Sequence, residues 1–106
     1  MTAREKTWTD VIAVSDLEPG DATPVTLGSR ELAVFDARGG ITVSLARCTH
    51  GAANLCDGHF DGIHIECPLH QGLFDVRTGA PKAAPARLPL RMFETRVMDG
   101  MVQILI

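Results

Sequence analysis

Two short pairs of cysteine and histidine constrain this chain more than any other feature. One residue separates Cys48 from His50, and two residues separate Cys67 from His70. A lone cysteine is usually a small buried hydrophobic residue, and a lone histidine usually lies at the surface. Two mixed pairs within 23 residues, in a glycine-rich stretch, are hard to explain in that way. The spacing therefore indicates a metal centre.

The chemistry of the four side chains narrows the kind of centre. Two thiolates and two imidazoles suit a cluster of two irons and two sulfides, with two Cys on one iron and two His on the other. The same side chains are zinc ligands, but zinc motifs usually keep the cysteine pair apart from the histidine pair. Mixed pairs favour the iron–sulfur cluster over zinc, which stays as an alternative. Gly51 and Gly72 lie close to the histidines and allow backbone N–H groups to approach sulfur.

Length and composition limit the domain organisation and the compartment. The chain has 106 residues, of which 45% are hydrophobic, so we expect residues 1–106 to form a single domain with a modest core. No apolar stretch is long enough to span a membrane, and the N-terminal residues lack the apolar run of a signal peptide. Three cysteines are an odd number, which argues against a disulfide framework. We therefore expect a cytoplasmic protein with reduced thiols and no membrane partner.

The charge is unevenly distributed along the chain. Residues 1–66 contain ten acidic and five basic residues, whereas residues 67–106 contain three acidic and five basic residues. No group of lysines and arginines is interleaved with aromatic residues, so nucleic acid is not an expected partner. The asymmetry is compatible with an ordinary solvated surface or with a polarised surface that orients transient protein partners.

Outside the metal motif the sequence has the alternation and turns of short strands. Gly28-Ser29 and Asp99-Gly100 each separate two strand-like runs, as hairpin turns do. No segment combines helix caps with a 3.6-residue period. The pattern predicts an all-β fold, a small antiparallel sandwich or barrel. The predicted strands are Trp8–Val14, Thr23–Leu27, Arg30–Phe35, Ile41–Ala46, Ile63–Glu66, Leu73–Val76, Arg91–Met98 and Met101–Ile106.

The metal motif resembles that of the Rieske iron–sulfur family. Cys48-Thr49-His50 and Cys67-Pro68-Leu69-His70 look like the family's C-x-H and C-x₂-H, and the likeness continues through Gln71–Gly79. That stretch is similar to the ferredoxins of bacterial aromatic-ring dioxygenase systems, and Ala84-Pro85 resembles the proline loop that covers the cluster. The resemblance implies a Rieske-like antiparallel β-sandwich with a small cluster-binding subdomain inserted at about residues 47–79. It also implies one Rieske-type [2Fe-2S] cluster held by Cys48, His50, Cys67 and His70.

Differences between this sequence and other branches of the Rieske family exclude some of the family's subtypes. Respiratory and photosynthetic members have extra cysteines where this chain has Ala53 and Leu69, so no disulfide can form beside the cluster. A mononuclear iron site needs two histidines and a carboxylate. The spare histidines, His59 and His64, both lie in the insert. We therefore expect no catalytic residues, and a protein that is not an enzyme.

The resemblance implies a one-electron carrier. Such a protein would take electrons from a flavin-dependent ferredoxin reductase and pass them to the terminal oxygenase of an aromatic-ring dioxygenase system, in aromatic hydrocarbon catabolism. The alternative from the same resemblance is the small Rieske subunit of an assimilatory nitrite reductase. A zinc-stabilised interaction module is a third possibility.

The remaining candidate residues receive simpler interpretations. Cys56 is expected to be a free thiol in or near the packed insert, and Trp8 to pack in the core or at a sheet edge. His59 and His64 are expected at the surface. Ser and Tyr are absent between Cys48 and Gly79. With few hydroxyl donors and no disulfide, we expect a reduction potential in the lower part of the Rieske range.

Overall fold

A computed structural model describes residues 5–49, 53–69, 72–84 and 86–106. His50, His70, Gln71 and Pro85, which the sequence analysis singles out, lie outside the described residues. The described residues form three antiparallel sheets. Their strands are β1 (Trp8–Ala13), β2 (Ala22–Leu27), β3 (Arg30–Ala37), β4 (Gly40–Leu45), β5 (His64–Glu66), β6 (Leu73–Asp75), β7 (Pro81–Ala83), β8 (Met92–Phe93), β9 (Thr95–Met98) and β10 (Met101–Leu105).

The first two sheets form the sandwich. One has the strand order β1-β10-β9, and the other has the order β2-β3-β4-β8. The first and last strands of the chain pair with each other, with Trp8 opposite Leu105. The third sheet, β5-β6-β7, lies in the region predicted to be inserted. The predicted fold class, an antiparallel all-β sandwich with an added subdomain, is confirmed.

Strand β3 is buried on both faces and joins the sandwich to the insert. Leu32 and Val34 belong to the core between the two sandwich sheets. Ala33 and Phe35 point to the other face, because side chains alternate along a strand, and belong to the core of the insert. The Phe35 ring lies 5.5 Å from the ring of Phe60, between centroids. The middle sheet therefore has one layer packed on each side.

The predicted strands are found with ends shifted by a few residues, apart from one prediction that is wrong. The single strand expected over Arg91–Met98 is two strands, β8 paired with β4 and β9 paired with β10. The chain passes from one sandwich sheet to the other at Glu94, whose carbonyl accepts a hydrogen bond from the N–H of Leu105. Such corners between packed sheets leave little trace in an alternation pattern, because both halves remain strand-like.

Strand β7 is absent from the sequence-based prediction. It begins at Pro81, which pairs with Phe74 on the outer edge of the third sheet. Proline is tolerated at an edge because no ladder hydrogen bond is required of its nitrogen there. The Asp99-Gly100 turn is confirmed, with φ angles of 52° and 78° that suit a two-residue hairpin.

Helical structure in the described residues is limited to two short 3₁₀ turns, Val14–Asp16 and Leu55–Asp57. No helix within these ranges has the length and apolar character needed to cross a membrane. Trp8 packs at a sheet edge, as predicted, and the guanidinium carbon of Arg96 lies 4.2 Å from its ring centroid.

Candidate metal centre

The first candidate metal-binding loop begins at Cys48, three residues after the end of β4. The Cys48 N–H donates a hydrogen bond to the Ala53 carbonyl at 2.9 Å. One residue further out on each side, Arg47 and Asn54 form an antiparallel bridge. The loop between Cys48 and Ala53 is thus the tip of a small hairpin, and the backbone fixes its first residue.

The second loop is closed in the same way. The Cys67 N–H donates to the Gly72 carbonyl at 2.8 Å, and Glu66 pairs with Leu73 across β5 and β6. In both loops the cysteine therefore bonds to the residue five positions later. The sequence shows different motifs, with one and two intervening residues, but the same backbone hydrogen bond closes both loops.

Both cysteines are buried, while the described residues that directly follow them are exposed. Cys48 is 2% exposed and Cys67 is 1% exposed, and both belong to the core of the insert. Thr49, Pro68 and Leu69 are exposed, with Leu69 at 59%. Two thiols on the inner side of two solvent-facing loops are a donor set that fits an iron–sulfur cluster shielded on its cysteine side. The residues present therefore fit the cofactor that the motif predicts.

Residues 86–90, which we call the 86–90 segment, contact both loops. The Thr49 hydroxyl donates to the Leu88 carbonyl at 2.8 Å. A Cβ built on Gly72 would lie 3.0 Å from the Cβ of Ala86, so a glycine is needed for this close approach. The segment therefore ties the first loop to the second from outside.

The far end of the 86–90 segment is anchored to the insert. Leu90 is buried, and its N–H donates to the carbonyl of Gly79 at 2.8 Å. Gly79 has a φ of +83°, and a Cβ there would lie 2.8 Å from the Leu90 carbonyl oxygen. The sequence identifies Pro85 as a candidate cover, but the contacts of Thr49, Ala86 and Leu90 join residues far apart in sequence, and only the fold reveals them.

Cys56 has the properties expected of a bystander thiol. It is partly buried against the core of the insert. Burial, together with the negative charges of Asp57 and Asp21, raises the pKa of Cys56 to about 11. A thiol must lose its proton to bind a metal. Cys56 therefore forms a thiolate less readily than an ordinary thiol does, in agreement with its exclusion from the predicted ligand set.

The two spare histidines do not form a second metal site in the described structure. His59 is exposed, and His64 is half-buried with its Nδ1 3.5 Å from Oδ2 of Asp61. Within the described ranges, no group of three or more His, Cys, Asp and Glu side chains is placed to hold a metal ion. The surface location predicted for His59 is confirmed.

Asp75 supports the hairpin that carries the second loop. It is 6% exposed and lies on β6 opposite His64. Burial by itself raises the pKa of Asp75, but hydrogen bonds from the side chain and the N–H of Arg77, with the charges of Arg77 and His64, outweigh it and hold the pKa below its ordinary value. The carboxylate is therefore charged and paired at neutral pH.

Comparisons with known proteins agree with this geometry. Residues 7–94 match the family model described as the Rieske [2Fe-2S] domain. The chain is 39% identical to the ferredoxin component of the naphthalene 1,2-dioxygenase system of Pseudomonas putida, over 92% of this chain and 93% of that protein.

Solved structures extend the comparison to three dimensions. The fold superimposes with a TM-score of 0.83 on a chain from the complex of reduced oxygenase and oxidized ferredoxin of carbazole 1,9a-dioxygenase, with 41% identity over 92% of this chain and 91% of that one. A nitrite reductase small subunit has a TM-score of 0.78 at 20% identity, covering 94% and 99% of the two chains. That second likeness shows the shared fold alone.

Proposed function

Because this chain belongs to the Rieske [2Fe-2S] domain family, we propose that it carries single electrons between two proteins of an aromatic-ring dioxygenase system. It is an electron-transfer component rather than an enzyme, and its cofactor is one Rieske-type cluster. The oxygenase is the electron acceptor in this proposal, and a flavin-dependent ferredoxin reductase is the donor. We further propose that residues 1–106 act as one Rieske domain, in the cytoplasm.

We propose that Cys48 and Cys67 hold one iron of the cluster and that His50 and His70 hold the other. When bound, the cluster supplies a centre that accepts and releases one electron. The observation that carries the proposal is the pair of equivalently closed loops, each beginning at a buried cysteine that is directly followed by an exposed residue. Cys48 and Cys67 would then supply thiolates from the side of the site that the core of the insert shields from water.

The described residues perform three tasks in this function. The backbone bonds of Cys48 and Cys67 hold the loops at fixed spacing, so little rearrangement accompanies a change of charge at the site. The core of the insert keeps water from the cysteine sulfurs. The exposed residues Thr49, Pro68 and Leu69 leave the outer side of both loops accessible to a partner protein, and electron carriers need contacts that form and dissociate quickly.

The relatives support the choice of partner. One structural relative is a ferredoxin solved in complex with the oxygenase of carbazole 1,9a-dioxygenase. The sequence relative at 39% identity is named as the ferredoxin component of a naphthalene dioxygenase system. The nitrite reductase alternative has weaker support, because its likeness to this chain is confined to the fold.

A low reduction potential is part of the proposal. Hydrogen bonds to sulfur raise the potential of such clusters. Thr49 is the only hydroxyl residue in the first loop, and its hydroxyl donates to the Leu88 carbonyl. The potential is therefore expected in the lower part of the range of about −150 to +300 mV that Rieske centres cover.

Spectroscopy and chemical analysis test the proposal directly. Purified protein should contain two irons and two acid-labile sulfides, and reduction with dithionite should give the EPR spectrum of a histidine-ligated cluster, with a lower average g value than an all-cysteine cluster. Stopped-flow mixing with a flavin-dependent ferredoxin reductase and NADH should then show reduction of the cluster. Colourless protein that contains zinc would exclude the electron carrier.

A further inference from the structure

Two exposed leucines and an exposed arginine lie on the second loop and on the 86–90 segment, which contacts both loops. Leu69 is 59% exposed and Leu88 is 64% exposed, the two highest values among the large hydrophobic residues described. Leu69 lies at the tip of the second loop, and the Leu88 carbonyl is bonded to Thr49 of the first loop. Large apolar side chains held open to solvent beside a site suggest a protein contact.

Arg87 lies between the two contacts that fix this segment. Its neighbour Ala86 approaches Gly72 of the second loop, and its other neighbour Leu88 is bonded to the first loop. Arg87 is exposed, and no described acidic side chain lies within ion-pair distance of it. The contacts of its two neighbours therefore fix the place of the Arg87 backbone in the fold. Its charged side chain remains available to an acidic group of a partner protein.

The positive charge around Arg87 contrasts with the rest of the molecule. The chain has a net charge of −3, yet between Asp75 and Glu94 it contains four basic residues and no acidic residue. Arg77 is neutralised by Asp75, at 3.3 Å, which leaves Lys82, Arg87 and Arg91. All three are exposed. The stretch of chain that contacts both loops is therefore basic, whereas the chain as a whole is acidic.

We propose that Leu69 and Leu88 with Arg87 form the surface on which electron partners dock, and that it fits a redox protein presenting carboxylates around an apolar contact. This inference rests on the proposed electron-carrier function and adds the residues and the charge of the partner. The leucines exclude water at the point of contact, and Arg87 selects and orients acidic partners.

A small anionic oxidant tests the charge without an identified partner. The dithionite-reduced protein gives one electron to hexacyanoferrate(III), which becomes hexacyanoferrate(II). If Arg87 dominates the electrostatic field at the docking surface, the rate of hexacyanoferrate(III) reduction falls as NaCl is raised from about 10 mM to about 1 M. Over this range the screening length shrinks from about 30 Å to about 3 Å. If the net charge dominates, the rate rises with salt, and the proposal is overturned.

Charge-reversal variants locate the effect. Arg87→Glu should slow the reaction on the order of tenfold at low salt and abolish or invert its salt dependence. The matched control is Arg38→Glu, which makes the same change in net charge at the far end of β4, about 20 Å of strand from the first loop. Equal effects of the two variants would overturn the proposal. Arg87→Gln and Arg38→Gln provide a milder pair if either reversal fails to fold.

The apolar half of the proposal needs a protein acceptor. Leu69→Asn and Leu88→Asn should slow electron transfer to an acidic cupredoxin several-fold and leave the rate with hexacyanoferrate(III) unchanged, because a small ion needs no apolar contact. Unchanged cupredoxin rates in both variants would contradict the role of the leucines. A protein that holds no reducible cluster would instead contradict the proposed function itself.

Two measurements independent of electron transfer complete the test. Redox-inert hexacyanochromate(III) should broaden the ¹³C-detected methyl signals of Leu88 in the oxidised protein, and Arg87→Glu should remove that broadening. Equal broadening of Ala13 and Leu88 would indicate no anion preference. A concentration-dependent dimer in sedimentation equilibrium that Arg87→Glu dissociates would mean that a second copy covers the surface, which would overturn the choice of partner.

Discussion

The two hydrophobic cores of this protein lie on opposite faces of β3 and differ in composition. The sandwich core consists entirely of branched aliphatic side chains. The core of the insert contains two cysteines, several alanines and the aromatic pair Phe35 and Phe60. The sandwich core is formed by strands that pair over long stretches, whereas the insert has strands of three residues joined by loops. The sandwich residues are Leu32, Val34, Val43, Val102 and Ile104.

This difference in composition indicates that the sandwich and the insert gain their stability in different ways. Burial of branched side chains stabilises the sandwich without help from a cofactor. The core of the insert combines the large rings of Phe35 and Phe74 with alanines and cysteines, on strands of only three residues. In the proposed function the insert also gains stability from the cluster that Cys48 and Cys67 hold, since metal binding contributes to folding free energy. The insert should therefore be the more fragile region, and damage to it should leave the sandwich intact.

The largest effect is expected from removal of one cysteine ligand. Cys67→Ala should abolish the cluster, because an iron that lacks a ligand is open to hydrolysis. Iron and acid-labile sulfide analysis measures the loss, and far-ultraviolet circular dichroism should still show the strands of the sandwich. Cys56→Ser is the matched control and should retain full cluster content, since Cys56 lies outside the predicted ligand set and its raised pKa disfavours the thiolate that would bind a metal. Full cluster content in Cys67→Ala would refute the ligand assignment.

Two substitutions on β3 test most directly whether the two cores differ in their effect on the cluster. Phe35→Ala should lower the free energy of unfolding by about 3–5 kcal/mol, and Leu32→Ala by about 2–5 kcal/mol, because each leaves a cavity. Phe35 faces the insert, so its variant alone should also lose the cluster faster at equal urea concentration. Urea unfolding followed by circular dichroism and by cluster absorbance measures both. Faster cluster loss in Leu32→Ala would remove the distinction between the cores.

A smaller effect is expected at the anchor of the 86–90 segment. Gly79→Ala forces a residue with a side chain into the left-handed region, at a cost of about 1–2 kcal/mol, and also pushes against the Leu90 carbonyl. Gly28→Ala is the control, because it has a similar positive φ and open space around its Cβ position. Both variants should lose stability in urea, but only Gly79→Ala should shorten the lifetime of the cluster in air. Equal lifetimes would show that the segment does not protect the site.

The smallest effect concerns acid and the hairpin of the second loop. The pKa of Asp75 is lower in the folded protein than in the unfolded chain, so the carboxylate stabilises the fold above the unfolded value of about 3.9 and loses that effect as the pH falls through the folded value. Asp75→Asn should therefore cost about 1 kcal/mol at pH 7, since Arg77 is half exposed. In urea titrations, the difference in free energy of unfolding between Asp75→Asn and the wild type should disappear below about pH 4. A gap that widens in acid would contradict the sign of the shift.

Much of the local structure followed from the sequence because its causes are local. The Asp99-Gly100 hairpin and the strands β2, β3 and β4 were predicted with small shifts at their ends. Alternation and turn residues act over a few positions, so they are visible in one sequence. The Cys-His pairs were equally local, and the family comparison confirmed the cofactor that they predicted.

Other features were decided by contacts between distant residues. The split of Arg91–Met98 at Glu94 depends on which sheet each half meets. The 86–90 segment is placed by the bond from Thr49 to Leu88, 39 residues apart, and the insert is tied to β4 by the bond from Thr42 to Val76, 34 residues apart.

The sequence by itself determined the metal-binding motif, the strand-forming stretches and the tight turns, because each depends on neighbouring residues. Only the tertiary structure decided that Leu32 and Phe35 belong to different cores, that both cysteine loops close with the same hydrogen bond, and that Leu69, Arg87 and Leu88 remain exposed. The physical reason is that burial and surface charge arise from chain segments that meet in space, and an alternation pattern does not specify which segments meet.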